Sequence, residues 1–351
     1  MNLLTLASVA ALAASASVVK AEPVHNVVLY VADGLRSGIV RPDTAPAMAE
    51  IRRVGVDFRN SHALFPTFTT ANASAMATGH YLGDTGDFSN TIYAGFPVPG
   101  AGASVTPFLE NDPVLGEGAH SKFGNGLIGA DPAKPAVVVA ANGDSDLVYF
   151  PGVHRKEMAA KVGPALMAQD DVSGLFVDDA LGRFPGTLTL DDIGLKGSAV
   201  TPLPALAVNF TSFATGCDEP ELCAVELSDT NLQQGQGMHG TFSRADTHNF
   251  MAAVGPDFRH AFRDVAPASN ADLGKTIAAI MKLSPVDRGH LVGRVLSEAM
   301  PGGGLTPDFV STTIASEPAP DGLRTVLRQQ KVGNTRYFDA AGFPGRTVGL
   351  E

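Results

Sequence analysis

Val27–Val31, reading VVLYV, is a β-branched run that stops on Ala32-Asp33-Gly34. A run this short and apolar predicts a buried strand, and the Asp-Gly that ends it delivers a carboxylate to the strand's C-terminal edge. In open parallel sheets that edge is where ligand sites form. Thr44–Gly55 follows with helical spacing: Pro46 near its start, Met48, Ile51 and Val54 on one face, Gly55 as a stop. Strand, helix, then a further motif is the order of an α/β chain. Ala136–Ala141, Leu175–Val177, Ala205–Phe210 and Asn249–Val254 read as further strands. His154–Ala168 reads as a helix interrupted by Gly163-Pro164, and Asn270–Leu283 as a helix with Leu273, Ile277, Ile280 and Met281 on one face. The Gly- and Pro-rich part from Gly302 is expected to be loosely ordered.

A chain of 351 residues suits one large domain or two modest ones, and 44% hydrophobic residues against 17% charged can bury a core. The formal charge is −11, with no basic run interleaved with aromatics, which argues against a nucleic acid polymer as partner. A small phosphate ester needs only a local positive site and stays open. Residues 1–21 read as a secretory signal: Leu3–Val19 is apolar or small, and Val19-Lys20-Ala21 offers small residues at the cleavage positions. The mature chain, 22–351, is then expected to be a single domain, secreted or periplasmic, with no transmembrane segment after signal removal. Its two cysteines, Cys217 and Cys223, are read as a local disulfide rather than free thiols or a metal pair, because no second Cys or His pair stands at zinc-finger spacing.

Chemistry is concentrated in two places. Phe65–Asn90 carries five threonines and no formal charge until Asp84, with alanines through its middle. Thr69 stands just ahead of an alanine-rich helix. Such a Thr is an N-cap, or a hydroxyl that a metal activates and a helix N-terminus pairs with phosphate. Asn72 lies about one turn later and would face the same point. His239 sits in the glycine-rich loop Gly235–Gly240, either as a structural His or as a ligand. Asp33 is a turn former or a ligand.

Taken together these segments resemble the alkaline phosphatase superfamily, in its nucleotide pyrophosphatase/phosphodiesterase branch. The resemblance rests on VVLYVADG, on Phe65-Pro66-Thr67-Phe68-Thr69-Thr70-Ala71-Asn72, on Thr78-Gly79-His80-Tyr81, and on His239-Gly240 followed by NFMAAV and Gly255-Pro256-Asp257-Phe258. It implies a three-layer sandwich, mostly parallel sheet with helices on both faces, truncated in the middle. It implies two zinc ions, with Asp33 and Thr69 on one and His239 on the other, Thr69 as nucleophile through a phospho-threonine, and Asn72 donating to a phosphoryl oxygen. The substrate class would be a small phosphate ester or nucleotide. Four further ligands of the family, in Asp-x-x-x-His and Asp-His-Gly segments, have no counterpart here, and an internal deletion near 117–120 is the reading of that gap. His120, Asp144, Asp146, His154, Asp246 and His248 are the possible substitutes. The alternative is a catalytically impaired relative that binds a phosphate or a partner. A sulfatase or a phosphate-sugar mutase is disfavoured, for sulfatases by a Thr where they use a modified Cys or Ser.

Overall fold

The computed structural model describes residues 26–99, 105–110, 126–131, 133–229, 237–284, 286 and 289–350. The expected signal segment 1–21, the expected deletion near 117–120 and His120 lie outside the described residues. By its contacts Val31–Glu351 forms one unit. No helix among the described residues is long and apolar enough to cross a membrane.

The chain is a mixed α/β structure with several sheets. The largest has six strands in the order Gly126–Ile128, Val137–Ala141, Ser145–Tyr149, Leu206–Phe210, Val172–Val177, Leu188–Thr189. The mostly parallel sheet expected from the resemblance is not observed: only the last pair of this sheet runs parallel. Connection length explains this. Asn142-Gly143-Asp144 joins Val137–Ala141 to Ser145–Tyr149, too few residues for anything but a hairpin, whereas a parallel crossover needs a dozen or more. One crossover is long enough. Ser145–Tyr149, the helix Arg155–Met167 and Val172–Val177 make a parallel unit, but Leu206–Phe210 inserts antiparallel between its two strands. That helix runs on through Pro164. Met158, Val162, Leu166 and Met167 pack on the core and offset the missing backbone hydrogen bond.

A second sheet holds Val56–His62 between Ala252–Ala253, antiparallel, and Phe262–Ser269, parallel. Val27–Val31 joins no strand and is exposed, Val28 at 89%. Both ladder sides of Val56–His62 are already taken, and a β-branched run without a partner has no reason to be a strand. The expected strand Asn249–Val254 is reduced to Ala252–Ala253, and the helix expected over Asn270–Leu283 spans Asp272–Ile280.

The C-terminal part is not loose. Val310–Ala315, Val326–Val332 and Thr335–Gly342 form an antiparallel sheet, and Tyr337, Phe338 and Phe343 are buried. The glycines and prolines before Val310 form only the connection. The strands after them carry the alternation that packs onto the core.

The core is organised around Phe65, Phe176, Phe242 and Phe338. Phe65 and Phe242 stack with centroids 4.4 Å apart and planes 7° apart. Phe65 precedes the threonine-rich segment and Phe242 follows the His239 loop, so the stack brings two distant segments together. Asn209, fully buried on Leu206–Phe210, locks this junction. Its Oδ1 accepts from Phe242 N (2.7 Å), and its Nδ2 donates to Ser173 Oγ (2.8 Å) and Ala341 O (3.3 Å). Asn209→Ala leaves the Phe242 N–H buried without an acceptor. It is expected to lower stability by about 2–3 kcal/mol in urea unfolding at neutral pH.

Candidate active site

Thr69 opens the helix Thr69–Thr78. The alanines do what small residues allow: Ala71 and Ala75 are buried, and the neighbouring helix Asp272–Ile280 approaches so closely that a Cβ on Gly274 would stand 2.9 Å from Met76 O. Gly79, left-handed at φ +75°, ends the helix. Thr69 itself is exposed. Its neighbours have other tasks. Thr67 Oγ1 donates to Thr241 O (2.9 Å), and Thr70 Oγ1 and N both donate to Asn90 Oδ1 (2.7 and 3.2 Å).

Three of the four residues singled out from sequence meet. Thr69 Oγ1 donates to Asp33 Oδ1 at 2.9 Å, and His239 Nε2 lies 3.0 Å from the same oxygen. His239 Nδ1 faces Thr67 O at 2.8 Å. A carbonyl only accepts, so Nδ1 carries a proton and Nε2 is the nitrogen presented to the site. Two glycines make this possible. Gly240, at φ +142°, lies under the Phe68 ring, where a Cβ would come within 2.1 Å of Phe68 Cζ. Gly34, at φ +62°, turns the chain directly after Asp33.

Asn72 goes elsewhere. Its side chain is buried, with Nδ2 donating to the carbonyls of Leu64, Pro66 and Phe68 and Oδ1 accepting from Leu64 N and Asn270 Nδ2, all between 2.8 and 3.2 Å. The one-turn spacing from Thr69 is present, but the amide is spent on the chain that leads into the helix. Among the substitutes, His154 is exposed beside Glu157. His248 engages Glu221 Oε2 (2.8 Å) and Arg59 O (3.2 Å), and Asp146 accepts from Asn142 N. Asp144 and Asp246 do cluster, together with Glu226, a residue that sequence reading missed. A lone Glu after Val225 gives no signal until the hairpin Ser212–Ala214/Ala224–Glu226 places it.

The charges at the triad reinforce one another. The hydrogen bond from His239 holds the Asp33 carboxyl down at about 2, with Thr69 adding to it and partial burial opposing. Burial pulls the His239 imidazolium down, but Asp33 and then the charge of Asp246 outweigh it and raise the group to about 9.

A zinc ion is the group that the resemblance implies. An imidazole whose Nδ1–H is fixed on a carbonyl, with Nε2 turned to a carboxylate, is the arrangement of a metal-ligating histidine. With the Thr69 hydroxyl this makes three protein donors, the usual number for one catalytic zinc. The donors therefore fit one ion. A second zinc does not fit: among the described residues the other group of three or more potential ligands, Asp144, Glu226 and Asp246, holds neither His nor Cys.

Residues 27–123 match the family model described as type I phosphodiesterase / nucleotide pyrophosphatase. The matched stretch contains Asp33, Thr69 and Asn72 and ends well before His239. No curated protein matches the chain.

Two outcomes follow from this geometry. Asn72→Ala is expected to destabilise the protein by about 2–4 kcal/mol, since Leu64 N and Asn270 Nδ2 lose a buried acceptor; thermal or urea unfolding reads it. In protein kept metal-free by chelator, the His239 imidazole is expected to titrate near 9 by NMR. Its folded value is raised, so its stabilisation is complete below the unfolded value of about 6.5 and fades as pH rises through 9. The stability gap between wild type and His239→Gln should therefore shrink over that interval.

Proposed function

We propose that the chain is an exported, metal-dependent phosphoric ester hydrolase that acts on a small phosphodiester or nucleotide with Thr69 as nucleophile. The family match over residues 27–123 supports a phosphoric ester hydrolase, and the convergence of Thr69, Asp33 and His239 is the observation that carries the finer reading.

Asp33, Thr69 and His239 would hold the zinc, which when bound supplies positive charge that lowers the hydroxyl's pKa and stabilises negative charge on the phosphoryl group. The chain's own residues do the rest. The Oγ1–H of Thr69 points along its hydrogen bond to Asp33 Oδ1, so the proton has an acceptor 2.9 Å away as the oxygen attacks phosphorus. Asp33 is a weak base when paired with His239 and needs the hydroxyl already acidified. Attack forms a Thr69 O–P bond as the P–O bond to the alcohol breaks, and the alcohol leaves with a proton from solvent. Water then breaks the Thr69 O–P bond, releasing the product with its remaining ester intact, a phosphate monoester from a diester, and restoring the hydroxyl. The start of the helix Thr69–Thr78 favours the anion throughout.

A second reading is favoured by one observation: the described residues supply donors for a single zinc, where the family uses two. On that reading the chain is a catalytically impaired relative that binds a phosphate or a partner.

Hydrolysis of bis-p-nitrophenyl phosphate with added zinc separates the two. Turnover that falls by about 10³-fold or more in Thr69→Ala is the expected result. Turnover that survives Thr69→Ala would sink the nucleophile assignment, and a folded protein with no turnover would leave the second reading in place.

A further inference from the structure

Asp144, Glu226 and Asp246 come from three separate places in the chain. Asp144 lies in the turn before Ser145–Tyr149, Glu226 ends the hairpin strand Ala224–Glu226, and Asp246 belongs to the short helix Arg244–Thr247. One oxygen from each lies within 4.8 Å of the other two. Asp144 is fully buried, and the Glu226 side chain is 4% exposed.

The hydrogen bonds fall on one side of the cluster. Asp246 Oδ2 accepts from Gly240 N, Thr241 N and Thr241 Oγ1 at 2.9, 2.9 and 3.0 Å. Three donors thus converge on one oxygen of Asp246. Glu226 Oε1 faces Thr241 Oγ1 (3.1 Å) and Ser243 Oγ (3.3 Å), with Arg36 Nη2 at 3.9 Å. Thr241 has one hydroxyl proton and serves only one of the two acids at a time. The other side is poorly served, with Ser228 and the neighbouring Glu226 near Asp144. Glu226 Oε2 and both oxygens of Asp144 are buried with no donor in hydrogen-bonding geometry among the described residues.

Three carboxylates this close cannot all remain ionised in a dry interior unless positive charge joins them. Burial pushes Asp144 up to about 6, against the pull of neighbouring Glu226 and Ser228, and burial and then the charge of Asp246 push Glu226 well above the carboxylate range. Protons or a cation must therefore balance the cluster. Its chemistry selects the cation. Every donor is a carboxylate or hydroxyl oxygen, the set a hard ion prefers, without the His or Cys of zinc sites, and three oxygens within 4.8 Å of one another can share one ion.

We infer that Asp144, Glu226 and Asp246 form a binding site for one hard divalent cation of the calcium class, separate from the Asp33–Thr69–His239 site and joined to it through Gly240 and Thr241. The oxygens of Asp144 and Glu226 that lack a donor in hydrogen-bonding geometry are its ligands, and the anchored carboxylate of Asp246 ties it to the loop that carries His239.

Calcium titration of the chelator-treated full chain by calorimetry, with manganese as competitor read by electron paramagnetic resonance, tests this. One saturable calcium per chain, displaced by manganese and raising the melting temperature, is expected. Glu226→Gln and Asp144→Asn should each weaken binding by about tenfold or more, since even residues behind a ligand cost that much. Both should still fold in chelator, because each relieves like-charge repulsion. Thr69→Ala and Asp33→Asn should keep calcium affinity within about twofold, so a loss of hydrolysis and a loss of this site are told apart. Folded wild type that binds neither calcium nor manganese saturably would overturn the inference and leave the cluster holding protons. Binding unchanged in both Glu226→Gln and Asp144→Asn would overturn it as well.

Discussion

The stacking of Phe65 on Phe242 is the contact on which the site depends. The two rings are fully buried and 177 positions apart in the chain, and each lies a few residues from a member of the Asp33–Thr69–His239 cluster. Thr67 follows Phe65 and gives its carbonyl to His239 Nδ1, while its hydroxyl reaches Thr241 O. Two polar bonds thus run between the same segments that the rings hold together. Buried aromatic pairs contribute about 0.5–1.5 kcal/mol beyond their area, and here that energy also sets the distance from Thr69 to His239. Asn209 acts from below: by holding Phe242 N it fixes how far the second ring advances.

Legibility from sequence divides along physical lines. Thr69, Asp33 and His239 were readable because each stands in a local context with its own signature: a strand-like run ending in Asp-Gly, a small-residue helix, a glycine-rich loop. Helices with a clear face, Pro46–Val54 and Asp272–Ile280, were readable within a few residues at their ends. Strand direction was not. It depends on which segment fills the slot between two others, and nothing within Leu206–Phe210 announces that it enters antiparallel between Ser145–Tyr149 and Val172–Val177. Asn72 was legible as important and illegible as to purpose, because spacing places a residue on a face without saying whether backbone carbonyls will claim its amide first. Glu226 had no local mark at all. Its meaning arises only when a hairpin, a turn and a short helix converge.

The interior also places charge unevenly. Arg294 pairs with the buried Glu298 at 2.6 Å, and Arg52 with the buried Asp57 at 3.0 Å. Those acids are neutralised by a guanidinium in contact. The group beside His239 is different in kind: among the described residues its ion pair is with Arg36, at 3.9 Å. A fold that places arginines in contact with Glu298 and Asp57 leaves this cluster with a more distant guanidinium, and it does so under the loop that positions the imidazole.

The bond between Cys217 and Cys223 closes a short loop, and loops that short gain little from being closed. Its position matters more than its energy. The closed segment offers the carbonyl of Leu222, and the residue just after it that of Ala224, to the guanidinium of Arg36, three residues beyond Asp33, and the strand that leaves it carries Glu226. One covalent clasp therefore underpins both the turn that holds Asp33 and the wall of the acidic cluster. Reduction of this pair would remove the clasp and leave the buried aromatic core in place. A chain made in a reducing cytosol would bury the same core and hold the turn after Asp33 and the acidic cluster on a looser footing than one made where disulfides form.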